Sequence, residues 1–288
     1  MGFLHWTLNL AALLLWAMWR AQTSQGSSGT ARRSTSRQSH LGWRMGRWAF
    51  LLGLLAVLLI LRAVFYQQAI PHTGWEARLS LAQFHPGDEA RLSLVFPWAS
   101  LELQLAFSIA SFVQWLVPFG FCLVLVLAIQ PATSEARLWN QRLAAQFGWL
   151  HRLPVWLLAL LILALAVAAQ WGLAWWFRRL DVLPAPTSDA KLVRIGCATA
   201  LTGLRPVAWL AMAVLGLHLL STYIYFGGFA FWKNIEVAGT QLLRPLRWLP
   251  LRWNRIDFAP AAGLLLAYGL TLLLTPERMN RIFHLVWR

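Results

Sequence analysis

The chain has 288 residues, of which 59% are hydrophobic and only 12% charged, and its 25 Lys and Arg against 10 Asp and Glu give a net charge of +15. Soluble domains carry roughly a quarter charged residues, so this composition excludes an ordinary soluble protein, and its hydrophobicity excludes a disordered one. The two cysteines, and glycines in no three-residue period, exclude disulfide-rich and collagen-like classes. A polytopic membrane protein is the class that remains.

The basic residues and the tryptophans lie mainly beside long apolar runs. Arginine accounts for 23 of the 25 basic residues, Lys191 and Lys233 being the exceptions. A nucleic-acid surface would set its arginines among polar residues. Here the arginines and many of the 19 tryptophans border apolar runs, which is typical of a membrane interface. We therefore expect the lipid bilayer as a partner and no nucleic acid.

Six apolar stretches are long enough to cross a bilayer, which takes about 20 residues at roughly 1.5 Å each. They are 3–19, 48–66, 103–129, 155–177, 206–226 and 259–275. The sequence therefore predicts an all-α polytopic membrane protein with five or six transmembrane helices.

Residues 1–19 are interpreted as an N-terminal membrane anchor, because no basic residue precedes the apolar run and no clear small-residue cleavage site follows it. A cleaved signal sequence and a native start at Met45 are the alternatives, so whether residues 1–44 belong to the native protein stays open. Residues 20–47 carry six Arg, no acid and a Ser/Thr/Gly/Gln-rich middle, which predicts a basic flexible linker. Residues 276–288 are predicted to form a basic tail.

The predicted loops differ in charge from one side of the membrane to the other. Segments 20–47, 130–154 and 227–258 hold 14 Lys and Arg, while 67–102, 178–205 and the tail from Pro276 hold 10. Because basic loops stay in the cytoplasm, this bias favours both termini outside.

A repeated hexapeptide predicts a small β-hairpin in loop 67–102. EARLSL occurs at 76–81 and again at 89–94, with alternating leucines and a Phe-His-Pro-Gly-Asp turn at 84–88 between the copies. Two strands alone are marginal in water, so we expect the leucine face to rest on the membrane surface or on neighbouring helices.

Two segments are predicted to be amphipathic helices that lie along the interface. These are 134–150 and 234–243, with Ser134 and Asn234 as the expected N-caps and Pro245 just after the second helix. Each precedes a predicted spanning helix.

The most specific stretch is LLRPLRWLPLRWNRIDFAP at 242–260, where prolines and arginines repeatedly interrupt an apolar pattern. This stretch resembles the YggT family of small integral membrane proteins, which has P-x-R, a second proline, a Gly-rich turn and I-D-x-S-P before its last helix. The matching positions are Pro245, Arg247, Pro250, Ile256, Asp257 and Pro260. Asn254 and Arg255 stand where glycines are usual in the family, and Ala259 where serine is usual.

The resemblance implies a unit made of one helix, an interfacial segment and a second helix. This unit is expected to occur twice, with a first YggT-like unit at 48–177 and a second at 205–275. It also implies a location in the bacterial cytoplasmic (inner) membrane and a role in membrane assembly or scaffolding. YggT-like proteins have been linked to envelope and division processes, in a plastid branch to haem attachment to a cytochrome, and in some relatives to ion or osmotic stress.

Physical chemistry gives the motif a structural role as well. Asp257 is expected to cap the last helix, and Pro260 suits its first turn. Arg247, Arg252 and Arg255 are expected to bind lipid phosphates, to pair with Asp257, or to bind a protein partner. The predicted lipid- or partner-binding motif consists of Pro245, Arg247, Pro250, Arg252, Arg255, Asp257 and Pro260.

Polar residues inside the apolar runs are the other candidates. His218, Ser221, Thr222 and Tyr225 share one helical face, where they are expected to form interhelical hydrogen bonds or to line a cavity. Haem ligated through His218 is the alternative to having no cofactor. Arg62 is expected to extend to the membrane surface.

Ala164, Ala168 and Gly172 form a small-residue stripe, which favours a compact bundle or contact with a partner helix, including that of a second copy.

The sequence carries no recognisable catalytic or metal-binding pattern. It lacks a Gly-rich phosphate loop, HExxH and metal-type Cys/His spacing, so we expect neither an enzyme nor a metal site. Two hypotheses follow: a non-enzymatic membrane assembly or scaffolding factor, or a subunit of an ion or osmolyte transporter or channel.

Overall fold

The computed structural model describes residues 2–24, 37–82, 91–129, 153–183, 188–224, 229–246, 248, 252–253 and 256–279. The chain is mainly helical. The helices are α1 Gly2–Ser24, α2 Arg37–Thr73, α3 Leu101–Ala128, α4 Val155–Arg179, α5 Asp189–Thr202, α6 Arg205–Tyr223, α7 Ala230–Leu242 and α8 Ala259–Leu273. The strands are β1 Ala77–Ala82, β2 Arg91–Phe96, β3 Arg252–Trp253 and β4 Ile256–Asp257, and Arg244–Leu246 forms one turn of 3-10 helix.

Four helical segments are long and apolar enough to cross a membrane. They are Ala49–Thr73 within α2, all of α3, all of α4, and the 35-residue segment Asp189–Tyr223 formed by α5 and α6. The helix α1 does not reach the same apolarity, and α8, with 15 residues, is shorter than a span requires. Four of the six predicted spans are therefore present as long apolar helices.

Two predicted connecting segments are in part helical, so the sequence-based boundaries there are wrong. Most of 178–205 forms α5, which continues into α6 across a short break, and α2 begins at Arg37 inside the predicted linker 20–47. In α5, the packing of Leu192 and Ile195 in the core extends helical structure beyond the apolar run.

The chain directions follow from paired contacts. Asn9 of α1 meets Arg62 of α2, and Trp16 meets Phe119 of α3, so α1 runs antiparallel to α2 and parallel to α3. Phe121 packs with Ala166, which makes α4 antiparallel to α3. The segments around 24–37 and 129–153 therefore emerge at one end of the bundle, and the hairpin lies at the other end.

The hairpin prediction is confirmed. The strands β1 and β2 pair antiparallel with Leu79 opposite Leu94, so the alternating leucines share one face. That face is buried against Phe107 of α3, Phe177 of α4 and Ile195 of α5. The hairpin thus rests on neighbouring helices and closes one end of the bundle; its predicted turn 84–88 lies outside the described residues.

The predicted interfacial helices have different outcomes. Segment 134–150 lies outside the described residues. The second helix, α7, begins at Ala230, four residues before the expected cap Asn234, and its N-cap position is Phe229, which makes no side-chain cap hydrogen bond.

The small-residue stripe of α4 faces outward. Ala164, Ala168 and Gly172 are all exposed, and a Cβ built on Gly172 meets nothing within 4 Å. In the described part of the chain the stripe is not used for bundle packing, which leaves contact with a partner helix as the open interpretation.

Candidate functional site

Arg62 lies inside the bundle, and its predicted extension to the membrane surface is wrong. The residue is 1% exposed, because its side chain points between α1 and α3. Its Nη1 donates a hydrogen bond of 2.6 Å to Oδ1 of Asn9, and its Nη2 donates one of 3.2 Å to the carbonyl of Ser108. A charged group in an apolar layer is stable only where such partners replace water.

The side chain of Asn9 connects Arg62 to the rest of the cluster. Because its oxygen accepts from Arg62, its Nδ2 is the donor, and it lies 3.1 Å from Oγ of Ser111 and 3.1 Å from Nε2 of His5. Nδ1 of His5 forms a hydrogen bond of 2.8 Å with the Tyr66 hydroxyl. We call these five residues, together with Ser108, the Arg62 centre.

The Arg62 centre holds a full positive charge among neutral groups. No carboxylate of the described residues forms an ion pair with Arg62, and its buried Nε has no hydrogen-bond partner among those residues. The ring of Tyr66 lies 5.5 Å from the guanidinium carbon and adds a cation–π contact. The centre is therefore strongly positive and well placed to bind three helices together.

Aromatic rings cover the Arg62 centre on the hairpin side. His5 stacks on Phe107 with ring centroids 5.5 Å apart, and Tyr66 lies 5.2 Å from Trp75. Phe96 of the hairpin packs on the same Phe107 at 5.5 Å. Such contacts contribute about 0.5–1.5 kcal/mol each beyond area burial. The rings separate the polar groups from the hairpin end of the bundle.

No protein-family model, curated protein or solved structure matches this chain. The resemblance to the YggT family stays a prediction.

The residues of the 242–260 motif are placed only in part. Pro245 is exposed in the 3-10 turn, while Arg247, Pro250 and Arg255 lie outside the described residues. In the backbone register of the short β3–β4 ladder, Arg252 stands opposite Asp257. Pro260 is buried in the first turn of α8. The prediction that Pro260 lies in the first turn of the last helix is thus confirmed.

The N-cap position of α8, which was expected at Asp257, lies one residue later. The N-cap position of α8 is Phe258, which makes no side-chain cap hydrogen bond, and Asp257 belongs to β4 one residue earlier. The β3–β4 ladder holds the aspartate in the strand and shifts the helix start.

The structure describes three of the four residues of the predicted polar face on α6. The hydroxyls of Ser221 and Thr222 both donate to the carbonyl of His218, at 2.8 and 2.9 Å. Thr222 is also exposed, and Tyr225 lies outside the described residues. Both hydroxyls are therefore engaged with their own helix.

The ring of His218 packs against α7. A Cβ added at Gly239 would overlap this ring, so the glycine permits close approach of the two helices. The helix α7 therefore covers the Cβ, Cγ and Cδ2 atoms of His218, and haem ligation through this residue stays an alternative prediction.

Sequence reasoning missed Arg205. It begins α6 directly after the break at Gly203–Leu204, and a Cβ on Gly203 would lie 3.2 Å from Cγ1 of Val117, halfway along α3. Its guanidinium carbon lies 5.0 Å from the ring of Trp209. The signal was weak, because Arg205 stands directly before the apolar run 206–226 and was counted with the loop 178–205.

Proposed function

We propose that this chain is an integral membrane protein of the YggT type that acts as a non-enzymatic assembly or scaffolding factor in the bacterial cytoplasmic membrane. It would hold lipid or another membrane protein against its apolar helices. Beyond the four long apolar helices, we propose that α1 and α8 also lie in the bilayer, which gives five or six spans, with α7 along the interface.

The observation that carries this proposal is the internal closure of the Arg62 centre. Asn9, His5, Ser111 and Tyr66 use their polar atoms on one another and on Arg62. Apart from Nε of Arg62, these groups are hydrogen-bonded within the chain. Such a cluster makes a rigid frame, and it leaves few groups to coordinate a moving solute. Rigidity of this kind suits a protein that holds a partner.

Charge supports an orientation with the hairpin outside the cytoplasm. Segments at the hairpin end, 74–100 and 178–194, hold six Lys and Arg, whereas the opposite end holds 14 in 20–47, 130–154 and 227–258. Cytoplasmic loops carry the excess of basic residues.

Crosslinking in native membranes and ion flux into liposomes test this proposal together. A scaffold is expected to give specific adducts with membrane proteins and no flux above protein-free liposomes. Purified protein that moves ions, with flux lost on Arg205→Gln but not on the exposed-site control Arg179→Gln, would replace the scaffold by a transporter.

A transporter or channel subunit is the second candidate, and the break in α5–α6 favours it. Transporters place binding sites where spanning helices are discontinuous, with a helix N-terminus facing the substrate. The break at Gly203–Leu204 lies beside the middle of α3, with Arg205 at the N-terminus that follows it.

A further inference from the structure

Arg62 and Arg205 have opposite environments. Arg62 is enclosed and donates hydrogen bonds to Asn9 and to the carbonyl of Ser108. Arg205 is only half-buried, and none of the described residues forms a hydrogen bond or ion pair with it. The described part of the chain therefore satisfies the charge of Arg62 and supplies no partner for that of Arg205.

The exposed part of Arg205 is its charged end. Its Nε is enclosed without a hydrogen-bond partner, whereas the two terminal nitrogens are not among the enclosed atoms. The guanidinium lies over Trp209, whose side chain is 50% exposed on the outside of α6. This Arg205–Trp209 face presents at least two N–H donors in a planar fork.

The Arg205–Trp209 face lies well inside the apolar layer. Leu204 and Val207 pack against the buried cluster of Phe121, Ala166 and Ala200, and Ile162 and Leu163 of α4 pack against the same cluster. Ile162 and Leu163 lie seven to eight positions, or roughly 11 Å, after the first residue of α4. A guanidinium at this height needs an anionic partner that is itself in the membrane.

We infer that the Arg205–Trp209 face docks a transmembrane helix of a different protein through a carboxylate of that helix. The planar fork of arginine matches a carboxylate in a bidentate pair, and the positive N-terminus of α6 adds to the attraction. The exposed indole supplies apolar contact beside the charge pair. This inference rests on the proposed assembly function and names the chemistry of its partner.

A second copy of this chain is a poor occupant. The six apolar runs contain no Asp or Glu. Glu277 follows α8, and the nearby Met279 packs on Ala198 of α5, but no ion pair joins Glu277 to Arg205 among the described residues. The carboxylate must then come from another membrane protein.

The test uses Arg205→Lys in the full chain, because lysine keeps the charge and supplies an amine. Native membranes are treated with the membrane-permeable dicyclohexylcarbodiimide, which activates a carboxylate; the amine displaces the activated oxygen, an amide forms, and the reagent leaves as its urea. We expect an adduct that joins residue 205 to an Asp or Glu within an apolar segment of another protein. Arg179→Lys is the matched control, because Arg179 also stacks on a tryptophan, Trp175, at 4.4 Å, but at a helix end.

Other outcomes decide against the inference. Absence of any adduct through residue 205, with the variant folded and monodisperse in detergent, would overturn it, as would an adduct to Glu277 of a second copy. A bound phospholipid lost in Arg205→Gln but kept in Arg179→Gln, measured by native mass spectrometry, would assign the site to lipid phosphate instead. Protein adducts elsewhere on the chain, with none through residue 205, would leave the assembly function standing.

Discussion

The Nη1 atom of Arg62 lies 2.6 Å from Oδ1 of Asn9, and this one hydrogen bond joins α2 to the N-terminal helix. The helix α1 is too polar to be among the four apolar spans, yet it supplies two members of the Arg62 centre, His5 and Asn9. The same polar residues that lower its hydropathy fix it in place. Stability of α1 in the bundle therefore depends on Arg62 as well as on apolar packing.

Replacing Asn9 tests that dependence. In Asn9→Leu the buried guanidinium keeps only the Ser108 carbonyl, so we expect the free energy of unfolding to fall by roughly 1.5–3 kcal/mol. Unfolding in detergent measures the loss. Thr7→Val is the control, because the Thr7 hydroxyl donates only to Leu4 of its own helix, and its effect should be much smaller.

The double variant Asn9→Leu/Arg62→Met separates a buried charge from lost packing. Removing both partners removes the uncompensated charge, so the double variant should be more stable than Asn9→Leu alone. If the double variant loses as much stability as Asn9→Leu alone, or as much as the two single variants added together, the charge does not control the position of α1.

A chain that starts at Met45 should be unstable, because it lacks both Asn9 and His5 and exposes Arg62 to lipid. We expect it to accumulate in the membrane at a small fraction of the full-length level, as measured by immunoblot. Adding Arg62→Met should raise that level. If the shortened chain is as abundant as the full one, residues 1–44 are dispensable for the fold.

The contact between α6 and α7 depends on a glycine. Because a Cβ at Gly239 would overlap His218, Gly239→Ala should lower the free energy of unfolding by about 1–3 kcal/mol. The double variant Gly239→Ala/His218→Ala should recover part of this loss. Gly269→Ala in α8 meets nothing within 4 Å and serves as the control. A thermal shift in detergent compares the three variants, and equal melting temperatures for both glycine variants would contradict the close packing.

The hairpin should behave as part of the core. Phe96 lies 5.3 Å from Phe177 between ring centroids and is 2% exposed, so Phe96→Ala should cost about 3–5 kcal/mol. Val95→Ala, next to it in the strand but 48% exposed, should change stability by less than about 0.5 kcal/mol. Similar losses in both variants would mean that the hairpin does not rest on α3 and α4.

The orientation can be read with single cysteines in a background where Cys122 and Cys197 are replaced by alanine. Ser80→Cys on the exposed face of β1 should react with an impermeant maleimide in intact cells. Ser39→Cys at the arginine-rich end should react only after the membrane is opened. The reverse pattern would place the hairpin in the cytoplasm.

Composition and periodicity determined much of this protein. Long apolar runs predicted the helices α2, α3 and α4, and the repeated EARLSL hexapeptide predicted both strands and the face that they bury. These features are local, because run length fixes a span and a period of two fixes a strand face.

Tertiary structure decided where the charges lie. The sequence places Arg62 within an apolar run and Arg205 directly before one, but the direction of each side chain depends on which helix packs beside it, and that information is not local. The polar face of α1 makes Arg62 an internal residue, while the break before α6 leaves Arg205 on the outside. Because the buried partner of such a charge lies in another helix, far away along the chain, it can be identified only from the assembled structure.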